Sequence, residues 1–268
     1  MIELKNEKIA VPVVLFAGLL WSFGPLVVRY MDQPQLVPWQ YIFGRGLTIF
    51  IILNLYLYFE EGINFYKNYK KIGKSGLLGG CGLGVAMISF IYSITNTSAA
   101  ITLLCLAAMP FFTALLAFLF LKERISLNVW ISIFIATIGI IIMAFGNTEK
   151  SSIIGFIFGI TSSIGFSVFS VTLRWRKETP KFTTVAVAGL FCFVVATMVI
   201  FTKNQPFFAT SYNSTMFSLH GTLVCLGLIL YSIGSKAIPA AELTLLSLTE
   251  VIGGIFWVWL PLFGINEV

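Results

Sequence analysis

Residues 98–121 read SAAITLLCLAAMPFFTALLAFLFL, 24 positions without a single charge. At 1.5 Å of rise per residue, about 20 apolar residues cross the roughly 30 Å of bilayer hydrocarbon. The run is too long for a barrel strand and does not alternate, so it reads as a spanning helix. Working outward, apolar runs of similar length fall at 9–31, 37–59, 75–95, 126–145, 152–173, 183–202, 214–235 and 239–262. Turn and charge signals such as Asp32-Gln33-Pro34, Glu60-Glu61-Gly62 and Lys122-Glu123-Arg124 separate them. Nine spans make an all-α integral membrane protein. Composition agrees, because the 268 residues are 58% hydrophobic and only 10% charged, against about 25% charged in soluble domains. A water-soluble enzyme and a large extramembrane domain are both excluded.

Charge sets the orientation. Thirteen of the 17 Lys and Arg residues fall on one side: Lys5, Lys8, Lys67, Lys70, Lys71, Lys74, Lys122, Arg124, Arg174, Arg176, Lys177, Lys181 and Lys236. Arg29, Lys150 and Lys203 fall on the other, and Arg45 lies inside a span. The basic side is expected to be cytoplasmic, with the N-terminus inside. The basic residues punctuate spans instead of forming a stripe, so nucleic acid is not an expected partner. Membrane lipid is.

The chain repeats itself at one shift. Gly18, Ser22, Gly24 and Val27 match Gly159, Ser163, Gly165 and Val168, each 141 residues on. Tyr92-Ser93-Ile94 recurs as Tyr231-Ser232-Ile233, and Ala99, Thr102, Leu103, Leu104 and Leu106 recur as Ala241, Thr244, Leu245, Leu246 and Leu248. A unit of five spans is odd, so its second copy is inverted in the membrane. The units are placed at 1–146 and 147–268. The second stops after four spans, at Asn266-Glu267-Val268, so a tenth apolar helix is expected beyond it.

Several motifs have structural explanations. Lys70-Lys71-Ile72-Gly73-Lys74-Ser75 ends like a phosphate-binding loop, but Asn68 stands where that loop needs glycine, and no strand precedes it. Gly76, Gly80 and Gly84, spaced by four, fit close helix packing. The four cysteines sit in apolar runs, where free cysteine is a small packing residue. His220, the only histidine, reads as an interfacial side chain at the outer end of span eight. With no companion ligands it predicts no metal site, and no cofactor is expected. Intramembrane catalysis is a rival class, but Asp32 is the only aspartate and an aspartyl dyad needs two. A membrane scaffold is the other rival, and buried Arg45 and Glu250 speak against it.

Trp21-Ser22-Phe23-Gly24, Arg45, Met109-Pro110-Phe111 with Ala114, Lys122-Glu123-Arg124 and Thr249-Glu250-Val251 followed by Trp257-Val258-Trp259 together resemble the drug/metabolite transporter superfamily, in its EamA-type bacterial branch. The sequence departs from that pattern at Val251, often proline there, and at the spread-out Gly264-Ile265-Asn266-Glu267. The resemblance implies two inverted five-helix halves and export or exchange of a small metabolite, such as an amino acid or related compound. It implies the inner membrane of the cell as location.

Glu250 is the expected coupling or substrate-binding carboxylate, with protons as a candidate coupling ion. At 1.5 Å per residue it lies about 18 Å from the outer end of its span, and Arg45 lies about 12 Å below the same surface. The depth gap is within reach of an arginine side chain. An ionised group at a helix centre costs at least about 2.5–3.5 kcal/mol, so both should face a cavity or each other. A permanent structural ion pair is the rival reading. Ser247 and Trp257 share a helix face with Glu250. Trp21 and Ser22 correspond through the repeat to Ser162 and Ser163. Tyr92 with Asn96, and Tyr231 with Ser235, occupy related positions at opposite membrane sides. Trp21, Ser22, Tyr92, Tyr231, Ser247 and Trp257 are expected to surround one midplane cavity with Glu250.

Overall fold

The computed structural model describes residues 6–127, 129–131, 133–135, 137–138, 152–176 and 178–260. Among these the secondary structure is helical throughout, and eight helices are long and apolar enough to cross a membrane. Span one is α1 (Glu7–Ser22) with α2 (Gly24–Arg29). Span two is α3 (Pro38–Glu61), which leads into the short α4 (Lys67–Lys71), and span three is α5 (Gly73–Asn96). Span four is α6 (Ala99–Leu106) with α7 (Met109–Leu116) and a closing π-helical turn, Ala117–Leu121. The fifth run, 126–145, lies largely outside the described residues. Then follow α8 (Ile153–Trp175), α9 (Lys181–Thr202), α10 (Ser211–Gly234), and α11 (Ala240–Leu246) with α12 (Thr249–Trp259). Residues 261–268 are outside the described set, as is any tenth helix.

Three spans expected to be continuous are broken near their middles. In span one the break falls at Phe23, before Pro25, and in span four at Ala107-Ala108, before Pro110. Proline has no N–H to give to the carbonyl four residues back, so the ladder is interrupted there. The break in span nine, at Ser247-Leu248, has no proline. In hydrocarbon every backbone polar group must be paired inside the protein, and hydroxyls assist at all three. Ser22 donates to the Leu19 carbonyl at 2.6 Å. Ser163 of α8 donates to the Cys105 carbonyl at 2.6 Å. Ser247 donates to the Thr244 carbonyl at 2.7 Å, and Thr249 to the Leu246 carbonyl at 3.1 Å.

Glycine decides how closely the spans pack. A Cβ at Gly46 on α3 would sit 2.9 Å from the Gly189 carbonyl on α9, and one at Gly189 would sit 2.9 Å from the Gly46 carbonyl. Gly80, inside the glycine row of α5, likewise faces the Thr184 carbonyl of α9 at 3.0 Å. The close-packing reading of that row fits the contacts. Positions related by the sequence repeat also make related contacts: Gly18 faces Ser247 across α1 and span nine, and Gly159 faces Cys105 across α8 and span four.

Gly189→Val is therefore expected to destabilise the fold by on the order of 1–3 kcal/mol, because its new atoms meet backbone that cannot yield. Thermal unfolding of the detergent-solubilised protein checks this; an unchanged melting curve would contradict the close approach.

Candidate functional site

At the centre of the bundle α1, α3, α5, α8, α10 and α12 leave a cavity. It gives about 60 Å³ to the centres of water molecules, room for a handful of them. Trp21, Phe90 and Phe166 supply aromatic walls, and Arg45, His220 and Glu250 supply polar groups. Arg45 projects from the middle of α3 and is only 3% exposed. Its Nη2 donates to the Met87 carbonyl at a long 3.4 Å, and its guanidinium carbon lies 5.7 Å from the centroid of the Phe90 ring. Glu250 reaches the cavity from the first turn of α12, immediately past the break in span nine. The break thus places the carboxylate beside the positive end of a helix dipole.

Arg45 and Glu250 face the same space and feel each other's charge. Among the described residues the two do not approach to ion-pair distance; the ion pair found there joins Arg174 and Glu123. The cavity is thus bipolar, with a guanidinium and a carboxylate separated by a gap.

The other expected site residues divide into three groups. Trp21 lines the cavity, anchored by its indole N–H on the Val224 carbonyl at 3.2 Å and packed edge-on against Phe166. Ser22, Ser247 and Trp257 lie next to it but are engaged with one another's surroundings. Ser22 accepts from the Trp257 indole at 2.8 Å while donating to Leu19, and the Ser247 hydroxyl is spent on Thr244. Tyr231 is fully buried, bonded to Ser170 at 2.7 Å and in ring contact with Trp21. Tyr92 and Asn96 are not brought to this cavity. Tyr92 packs against Trp39 and Phe158, and Asn96, exposed at the end of α5, donates to the Tyr92 carbonyl. Asn96 instead lines a second cavity, of about 420 Å³, at the end of the bundle where α2 and α5 finish.

His220 corrects the sequence reading. It is 1% exposed, its Nδ1 is hydrogen-bonded to the Tyr41 hydroxyl, and it lines the central cavity. It is not an interfacial side chain. The available signal was spacing: His220, Val224 and Tyr231 fall at i, i+4 and i+11 on α10, along one helical face.

The two ends of the bundle differ. At the Lys/Arg-rich end, Arg174 pairs with Glu123 at 2.6 Å and donates to the carbonyls of Ser235 and Ile238. Glu123 also accepts from the backbone N–H of Ala240, at the start of α11. Lys181, read as a loop charge, is instead the first residue of α9, and is buried. Its amine donates to the Ser235 hydroxyl at 2.5 Å and the Ser232 carbonyl at 3.3 Å. Ser75 and Thr179 close the same end at 2.5 Å. The opposite end holds the larger cavity, edged by Arg29, Gln35 and Asn96.

The model of the EamA-like transporter family matches residues 8–145, just over half of the chain. The chain belongs to the EamA-like transporter family. Two curated Helicobacter pylori proteins, from strains J99 and 26695, are called uncharacterized transporters. Each is 25% identical over 249 residues, 90% of this chain and 80% of theirs. A protein of known crystal structure superposes with a TM-score of 0.72 at 16% identity, over 98% of this chain and 91% of its own. That likeness speaks for the fold alone. This EamA-like protein is a multi-pass membrane transporter.

If the polar cluster at the basic end of the transporter seals it, Arg174→Ala is expected to open that end. A cysteine at Ser232, fully buried in the native protein, should react several-fold faster with a membrane-impermeant thiol reagent in the Arg174→Ala background. The measurement uses protein with its four native cysteines replaced; equal rates would show that the cluster does not seal.

Proposed function

We propose that this chain is a secondary transporter that moves a small zwitterionic metabolite, an amino acid or a close relative, by alternating access. The observation that carries this reading is the bipolar cavity. A guanidinium and a carboxylate facing one small space, without pairing to each other, match the carboxylate and ammonium of a zwitterion. Both ions would cost several kcal/mol if left unpaired in the membrane, so a substrate that neutralises both is favoured. Aromatic walls beside them suit an apolar side chain.

Glu250 is the coupling residue in this reading. As a carboxylate it holds the substrate ammonium, and a proton arriving at Glu250 releases it. The sealed basic end and the open opposite end fit one extreme of an alternating cycle between halves 1–146 and 147–268. The basic end is assigned to the cytoplasm by the positive-inside rule, with the protein in the inner membrane and its N-terminus inside. No chemical step on the substrate is required, and the protein acts as a carrier and not an enzyme.

Glu250→Gln keeps the shape of the side chain and removes its charge and proton. Counterflow of amino acids in proteoliposomes should fall at least tenfold and lose its dependence on pH. Full, pH-dependent transport by a correctly inserted variant would overturn the coupling role. Topology is checked separately. Single cysteines at Lys67 and Glu178 should be labelled from the same, cytoplasmic side; labelling from opposite sides would overturn the inverted arrangement.

A further inference from the structure

The reading above leaves His220 without a task, although it is buried at the cavity wall. Three hydrogen-bonding constraints assign it one. Tyr41 and Arg45 lie one turn apart on α3, and the guanidinium lies within hydrogen-bonding reach of the Tyr41 hydroxyl. Arginine has five N–H donors and no acceptor, so the Tyr41 oxygen must be the acceptor of that contact. The single hydroxyl proton of Tyr41 is then directed to its other partner, Nδ1 of His220. An imidazole whose Nδ1 accepts carries its proton on Nε2. Tyr41 is itself held flat against Phe217, with ring centroids 4.9 Å apart at 19°, so the direction of this chain is fixed by packing.

The exposed nitrogen points where it can be used. Nε2 of His220 lies over Gly24, where an added Cβ would come within 2.7 Å of it. No side chain therefore intervenes at that position, which is the break in span one. Among the described residues Nε2 has no hydrogen-bond partner. Arg45 offers further donors into the same cavity, since its bond to the Met87 carbonyl is long and its contact with Phe90 uses only the ring face. A two-oxygen anion fits the pair of donors, and Glu250 is the acceptor on the α12 side.

We infer that Arg45 and His220 together form the carboxylate subsite of the transported zwitterion, with Tyr41 as the positioning residue that sets the imidazole tautomer. This rests on the zwitterion reading of the cavity. It makes His220 a specificity residue: an amine without a carboxylate binds Glu250 but gains nothing from His220. Carboxylic substrates are selected because both buried donors stay unsatisfied without them.

Because His220 is the only histidine, protein labelled with ¹⁵N-histidine and carrying a non-histidine affinity tag gives one pair of imidazole signals. In detergent or nanodiscs the spectrum should show Nδ1 as acceptor and the proton on Nε2. The twenty L-amino acids are screened for thermal stabilisation and counterflow, and each one that binds is compared with its decarboxylated amine. The amino acid should move the Nε2 signal and the amine should not. In proteoliposomes His220→Leu should raise KM for that amino acid about tenfold or more, the range for one hydrogen bond to a charged group. His220→Gln, which retains an N–H donor, should stay within about threefold. Amine transport should be unchanged in both.

A proton found on Nδ1, or an Nε2 signal moved equally by amine and amino acid, would overturn the subsite, and so would bound amino acids that leave the signal still. The wild-type spectrum decides this even where His220→Leu fails to fold. A panel in which no amino acid binds or moves would overturn the zwitterion reading itself, and the subsite with it.

Discussion

A carbonyl released from its helix inside hydrocarbon must find a donor within the protein, and the rest of this architecture follows from where that happens. Each broken span would be untenable with its gap facing lipid. The breaks at Phe23, Ala107-Ala108 and Ser247-Leu248 are accordingly turned inward and supplied with hydroxyls from Ser22, Ser163, Ser247 and Thr249. Inward-turned breaks cannot pack as tightly as whole helices, so a cavity forms among them. Glu250 occupies the first turn after one break, and His220 lies over Gly24 at another. The requirement that keeps the backbone paired is thus the one that positions the polar groups of the site.

The same requirement explains why Ser22 and Ser247 are less available to a substrate than their polarity promises. A serine in a spanning helix satisfies its hydroxyl on a carbonyl within its own turn, and both do so. Ser22 is further occupied by the Trp257 indole. Polar residues on the cavity side therefore fall into two kinds: those consumed by the backbone, and the three ionisable groups, Arg45, His220 and Glu250, that are left to face the space between. Only the second kind distinguishes one solute from another.

Much of this was legible in the sequence, and the failures have physical causes. Span positions came from hydrophobic length, and they agree with the helices to within a few residues, as Pro38–Glu61 for 37–59 and Ile153–Trp175 for 152–173 illustrate. The fourth and first breaks were signalled by Pro110 and Pro25. The ninth carries no proline, and nothing local distinguishes Leu246-Ser247-Leu248-Thr249 from continuous helix. Arg45 and Glu250 stood out because charges are rare in spans. His220 did not, because position along a helix gives depth but not the face; its depth resembled an interface while its face was that of Tyr231. Lys181 failed in the opposite sense, since a lysine near a span end is ordinarily hydrated, and here Ser232 and Ser235 of a neighbouring helix replace the water.

The unequal ends of the bundle follow from which side chains the repeat places there. Displaced by 141 residues, Lys181 corresponds to Gln40 and Arg174 to Gln33. The two cations close their end by donating to carbonyls at the finish of α10 and just beyond, where the helix dipole is negative. Their glutamine counterparts make no such set: Gln40 donates to the Pro206 carbonyl, and Gln33 occupies a left-handed turn with φ of +45°. Charge-assisted hydrogen bonds are roughly twice as strong as neutral ones, so the basic end closes more firmly than the other. In the transport cycle proposed above, this tilts the empty carrier towards the state seen here. A solute can reverse that tilt only through contacts that are better in the opposite state, and the bipolar cavity is the place where it meets charges able to supply them.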